Sequence, residues 1–190
     1  MTGRMLVAGV GNVFLGDDGF GVEVARRLAD TRVSGQLPDW VSVVDYGIRG
    51  MHLAYDLAGG DYDTTVLVDA TSQGDEPGTV CVIELDPPAE PQPPENPGDA
   101  APALDAHGIS PDVVLNLVAL LGADPGRVLL VGCEPATLDP GMGLSPVVTA
   151  ALDTAMVAVA EIIREARTDE YLPPEDAPMT PAGPAGREQV

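Results

Sequence analysis

The chain has 190 residues with 30 acidic and 9 basic side chains, a formal charge of −21, and all nine basic residues are arginines. That length suits one domain with a self-sufficient core, and 45% hydrophobic residues make it globular. The charge excludes nucleic acid and an anionic membrane surface as partners, since both need a basic footprint. It permits a basic or metal-bearing one. Two cysteines, Cys81 and Cys133, are too few for a disulfide scaffold, and each lies in an apolar strand-like run, as a buried thiol would. No signal peptide and no membrane-length apolar run is read, so the expected compartment is the cytoplasm.

Met5 to Gly9 is a short apolar run that predicts a buried strand. Asp18 to Ala29 carries Phe20, Val24, Ala25 and Leu28 at helical spacing. Val41 to Val44 predicts a second strand, and Arg49 to Leu57 a short helix ended by Gly59-Gly60. Thr64 to Val68 and Thr79 to Leu85 predict the third and fourth strands. Ser110-Pro111-Asp112 reads as an N-cap, a first-turn proline and an acid that suits the helix dipole. Arg127 to Cys133 is the fifth strand. Ser145-Pro146 opens the last helix, with Val148, Leu152, Ala155, Val159 and Ile163 on one side.

Strands buried on both faces and separated by helices imply a mostly parallel sheet. One connection breaks the pattern. Only ten residues, rich in Gly, Asp and Pro, separate Val68 from Thr79. That is too few for a parallel crossover, so the fourth strand is expected to run antiparallel. The resulting fold class is α/β, a five-stranded, mostly parallel sheet with one antiparallel strand. Twelve of the 19 prolines fall in Asp86–Asp105 and Leu172–Val190, acidic segments nearly free of large apolar residues. Neither can bury enough surface to offset its ordering entropy. The expected organisation is one domain over 1–167, folded from about residue 3, with a mobile loop at 86–105 and a mobile tail at 168–190.

Ligands of open α/β sheets bind outside the carboxyl ends of the strands. There the sequence places Asp17 and Asp18 after strand one, Asp45 at the end of strand two and Asp69 at the end of strand three. His107 follows the Pro-rich loop. Each has an ordinary alternative. Asp17 and Asp18 suit an N-cap and first-turn acid, Asp69 and Asp45 suit Asx-turns, and His107 suits a plain loop. As a set, two carboxylates and an imidazole resemble a facial site for a divalent transition metal with open positions. Such a metal polarises a carbonyl or activates a water. Gly9-x-Gly11 is a poor dinucleotide fingerprint, because Phe14 fills the third glycine position and two acids follow where phosphate would sit. His52, in the short helix, reads as solvated or packing.

Gly9-Val-Gly-Asn12, Asp17-Asp18-Gly-x-Gly21, Asp45-x-Gly47-x-x-Gly50, Val-Leu-Val-Asp69-Ala, the isolated His107, Val131-Gly-Cys-Glu-Pro135 and Leu144-Ser-Pro146 occur in that order. As an ordered set over roughly 3–165 they resemble the hydrogenase maturation proteases. The resemblance implies a three-layer α/β/α sandwich. It implies an endopeptidase that trims the C-terminal extension of the nickel–iron hydrogenase large-subunit precursor after nickel insertion. It further implies that Asp18, Asp69 and His107 contact the nickel carried by that substrate, so that no metal is held tightly by the enzyme itself. Asp18 stands where some members have Glu. Asp45, on the same edge, is the candidate base or loop-orienting group. A monomer is expected. The rival readings are a non-catalytic checkpoint or chaperone module that binds the large subunit, and a nucleotide-binding protein.

Overall fold

Every residue of the first strand, β1 (Met5–Val10), is buried, because helices cover both faces of the sheet and strands flank β1 on both sides. The computed structural model describes residues 3–33, 37–91 and 110–169. Within them β2 (Val41–Gly47), β3 (Thr64–Ala70), β4 (Val80–Leu85) and β5 (Arg127–Cys133) join β1 in one sheet of order β2-β1-β3-β5-β4. All neighbours pair in parallel except β4 with β5, which is antiparallel, as the short 71–79 connection requires.

The four helices divide between the two faces. α1 (Phe20–Val33) and α4 (Pro146–Asp169) lay Phe20, Val24, Leu152 and Val159 on Val7, Val66 and Val131. α2 (Gly50–Ala58) and α3 (Pro111–Leu120) lay Leu53, Leu57, Leu115 and Val118 on Leu6, Leu67 and Leu130. Successive strand residues thus serve opposite cores, as the two-residue strand period dictates. The result is the α/β/α sandwich.

β1 leads through α1 to β2 on one side, and β2 leads through α2 on the opposite face to β3 on the other side. The carboxyl ends of β1 and β3 therefore flank a topological switch point, where such sheets bind ligands.

Three expectations change in detail. β2 runs on to Gly47 and β3 to Ala70, because pairing continues through Gly9 with Asp45 and through Asp69 with Gly132. Asp45 and Asp69 therefore lie at the strand ends, where the sequence placed them, and not in the alternative Asx-turns. The helix expected from Asp18 starts at Phe20, preceded by a 3₁₀ turn at Gly16–Gly19. Of the two acids of that turn, Asp17 accepts from residues 136–145 and Asp18 from the Asn12 N–H. Finally, 146–167 is a helix long and apolar enough, at mean hydropathy 1.7, to cross a membrane by length and composition, contrary to the expectation that no run approaches that length. Its apolar side is Val148, Leu152, Ala155, Val159 and Ile163, all buried against the sheet, so here it is a core helix. Residues 86–91 are neither helix nor strand. The remainder of the Pro-rich loop and the tail from 170 lie outside the described residues.

Two glycines of the opening motif set how closely α1 approaches the sheet. A Cβ on Gly21 would stand 2.0 Å from the Val68 carbonyl oxygen and 2.4 Å from that of Val10. One on Gly9 would stand 2.3 Å from the Gly21 carbonyl oxygen. These are backbone atoms that cannot swing aside, so the helix would have to lift from β1 and β3. Gly21→Ala is expected to cost about 3 kcal/mol, the upper range for overpacking. Urea unfolding of the purified variant measures it.

Candidate active site

Asp69 is the sixth residue of β3, beside the switch-point crevice, and only 8% exposed. Across the crevice, the chain leaving β1 turns at Gly11, whose φ is +127°. A Cβ there would lie 1.8 Å from the Asp18 carbonyl oxygen and 3.6 Å from Asp69 Oδ1. Only glycine tolerates both the conformation and the contact, and its missing side chain lets the Asp18 backbone come in beside Asp69 Oδ1. The Asn12 N–H donates to Asp18 Oδ2 at 2.6 Å, aiming that carboxylate back across the turn.

The electrostatics follow from this placement. Burial, first, and then the neighbouring Asp18 charge push the Asp69 carboxyl up from 3.8 to about 8, against a hydrogen bond from the Ala70 backbone. Near neutral pH Asp69 therefore keeps its proton. A divalent cation set between the two carboxyls would replace that proton and relieve the repulsion, so the donor set suits a cation.

Asp45 lies on the same edge, one strand beyond β1 from β3, and is exposed. It lines a cleft of about 430 Å³ with Gly11, Asn12, Phe14, Ile48 and Arg49. The Arg49 guanidinium donates to the Asp45 and Tyr46 carbonyl oxygens, closing the corner after β2. His107 lies outside the described residues. Among the described residues no group of three His, Cys, Asp or Glu side chains is placed to hold a metal ion. His52 is exposed on α2. The turn N–H of Asn12, which a bound phosphate would need, is already given to a carboxylate, which leaves the Gly9–Gly11 turn structural.

Two acids have positioning roles that the sequence reading did not assign. Asp17, fully buried, accepts from the N–H groups of Ala136 (2.8 Å), Thr137 (3.1 Å) and Ser145 (2.6 Å). It ties the 3₁₀ turn to the connection between β5 and α4. Glu134 Oε2 accepts from three successive N–H groups, those of Gln73, Gly74 and Asp75, and so shapes the loop that follows Asp69. The signal was present in the motifs around Cys133-Glu134-Pro135 and Leu144-Ser145-Pro146, the segments these carboxylates bind or come from. Cys133 is buried, and burial, with Asp17 second, pushes its thiol up to about 11. A thiol held protonated is no nucleophile. Both cysteines are free.

Fold and edge together define the class: a doubly wound α/β protein whose switch-point crevice presents a coupled pair of carboxyls. The sequence pattern of the hydrogenase maturation protease family matches residues 22–162. The hydrogenase 2 maturation protease of Escherichia coli K12 is 33% identical over 168 residues, covering 85% of this chain and 92% of that protein. The hydrogenase expression/formation protein HupD of Rhodobacter capsulatus is 34% identical, covering 86% and 71%. Among solved structures, the hydrogenase maturating endopeptidase HybD from E. coli superposes with a TM-score of 0.62 at 32% identity, covering 86% of this chain and 93% of that one. A hydrogenase 2 maturation peptidase from a Thaumarchaeota archaeon gives 0.61 at 32%, covering 85% and 98%. The chain belongs to the hydrogenase maturation protease family and is a peptide hydrolase of that family's kind.

Proposed function

We propose that this chain removes the C-terminal extension of a nickel–iron hydrogenase large-subunit precursor after nickel insertion, and that it reads the nickel carried by the substrate. The observation that carries the reading is Asp69, buried at the switch point and raised to about 8 by burial and then by the Asp18 charge nearby. A cation seated there takes the place of the Asp69 proton and offsets its repulsion with Asp18. A substrate that brings its own cation completes the edge, and a precursor without nickel does not. Binding energy realised only with the loaded substrate then discriminates the two.

In this account Asp18 and Asp69 are the metal-contacting acids, with His107 the third group, and the enzyme holds no metal tightly of its own. Asp69 gives up its proton as the nickel seats. The scissile carbonyl lies close enough to the metal to be polarised, or a water attacks it with Asp45 on the same edge as base. The enzyme acts as a monomer in the cytoplasm on this one protein partner.

The test is incubation with purified precursor in nickel-loaded and nickel-free forms, followed by intact-mass measurement. The loaded form alone is expected to lose its extension. Equal trimming of both forms overturns the nickel-reading part, and trimming of neither overturns the protease reading.

A further inference from the structure

The β5–α4 connection, residues 134–145, is neither helix nor regular strand, yet it is fixed by six hydrogen bonds to the turn that carries Asp18. Asp17 accepts from Ala136, Thr137 and Ser145. The Asp17 N–H donates to the Thr137 oxygen, the Gly16 N–H to the Gly141 oxygen, and the Gly141 N–H to the Phe14 oxygen. What this bracing presents to solvent is apolar. Met142 is 78% exposed and Leu138 48%, and across the bridge Phe14 is 63% exposed. Ile48, after β2, is 51% exposed and Val147, opening α4, 44%. These side chains add nothing to either core, and they crowd the one edge that holds the acid pair. A cleft of about 350 Å³ beside Met142, Leu144 and Gly19 lies on one side of Val13, and the Asp45 cleft lies on the other.

We infer that Phe14, Leu138 and Met142, with Ile48 across the Asp45 cleft from Phe14, form an apolar docking rim for the folded protein substrate, and that the hydrogen bonds around Asp17 hold Phe14, Leu138 and Met142 in fixed register to Asp18. The inference rests on the protease reading above and adds where the precursor sits. The occupant is identified by continuity: Phe14 lies in the same braced turn as Asp18, so whatever covers it lies against the acid pair. The rim's chemistry agrees. A chain of charge −21 repels acidic surfaces at long range, and an uncharged contact ring lets a folded partner close on it with its cation directed at the carboxyls.

Leu138→Gln/Met142→Gln tests the rim without adding charge and leaves the Asp45 cleft intact. With nickel-loaded precursor, KM is expected to rise about tenfold or more, as for truncated interface anchors, while kcat at saturation stays within about twofold of wild type. Val157→Gln, on the outer side of α4 and 57% exposed, is the matched control and keeps the wild-type KM. A double-variant KM within about twofold of wild type overturns the rim. So does sedimentation showing a wild-type dimer that the double variant dissolves, which would make a second copy the occupant. If wild type trims no precursor, the protease reading fails, and calorimetric binding of the precursor judges the rim alone. Binding lost in the double variant supports it, and equal binding, or no wild-type binding, overturns it.

Discussion

Asp69→Asn is expected to make the protein more stable at pH 8 by at least about 2 kcal/mol, and to remove most of the decline in stability between pH 4 and 8. In the folded chain the Asp69 carboxyl titrates at about 8, against 3.8 for its ordinary value. Between those values the native state binds more protons than the unfolded state, so stability falls as pH rises, by up to about 1.4 kcal/mol per unit for one group. Below the lower value both states are protonated and the penalty vanishes. Asparagine keeps the shape and never ionises, so the variant and wild type should coincide near pH 4 and separate steadily above it. Denaturant unfolding at intervals across this range measures the separation. A parallel decline in both proteins would mean that Asp69 ionises as an ordinary surface carboxylate. A residue kept at the expense of stability fits a working position, and the same substitution is expected to remove activity.

Asp17→Ala is expected to lower stability by about 3–5 kcal/mol, with a fall in Tm of roughly 10 °C for a domain of this size. The fully buried carboxylate satisfies N–H groups from three residues more than a hundred positions away. Alanine leaves those donors without their charged acceptor. Asp17→Asn should fall between, because an amide retains one acceptor oxygen for either the Ala136–Thr137 pair or the Ser145 N–H. Hydrogen exchange should localise the damage to residues 136–145 in either variant. Thermal unfolding with backbone exchange checks both statements. Uniform loosening of the whole domain would mean that Asp17 is an ordinary core polar group.

The strand and helix order was legible because each element carries its own signal. The strand Thr64–Ala70 opens on an uninterrupted run rich in β-branched residues, and the Leu152, Ala155, Val159 and Ile163 spacing of α4 is helical. Even the antiparallel β4 was legible, from a connection too short to cross over. Strand ends were less so, since Asp45 and Asp69 remain in strands only because β1 and β5 supply pairing partners. That Asp18 and Asp69 share one edge was legible from topology. The separate duty of Asp17 was not. Adjacent aspartates look alike in sequence, and what divides them is which way a 3₁₀ turn points each one, inward to residues 136–145 or back to the Asn12 N–H. Gly9 and Gly21 were read as turn and motif residues. Their stronger constraint, backbone packed on backbone at 2.0–2.4 Å from any Cβ, arises only when α1 lies on the sheet.

The most direct test of the central claim, that the paired carboxyls at the switch point read the substrate's cation, is the initial rate of peptide release from nickel-loaded precursor by wild type, Asp18→Asn and Asp69→Asn between pH 6 and 9. The expected result is a wild-type rate that climbs toward pH 8 as Asp69 becomes easier to deprotonate, and a loss of roughly a thousandfold or more in each variant. Either variant cleaving within about tenfold of wild type across that range would contradict it.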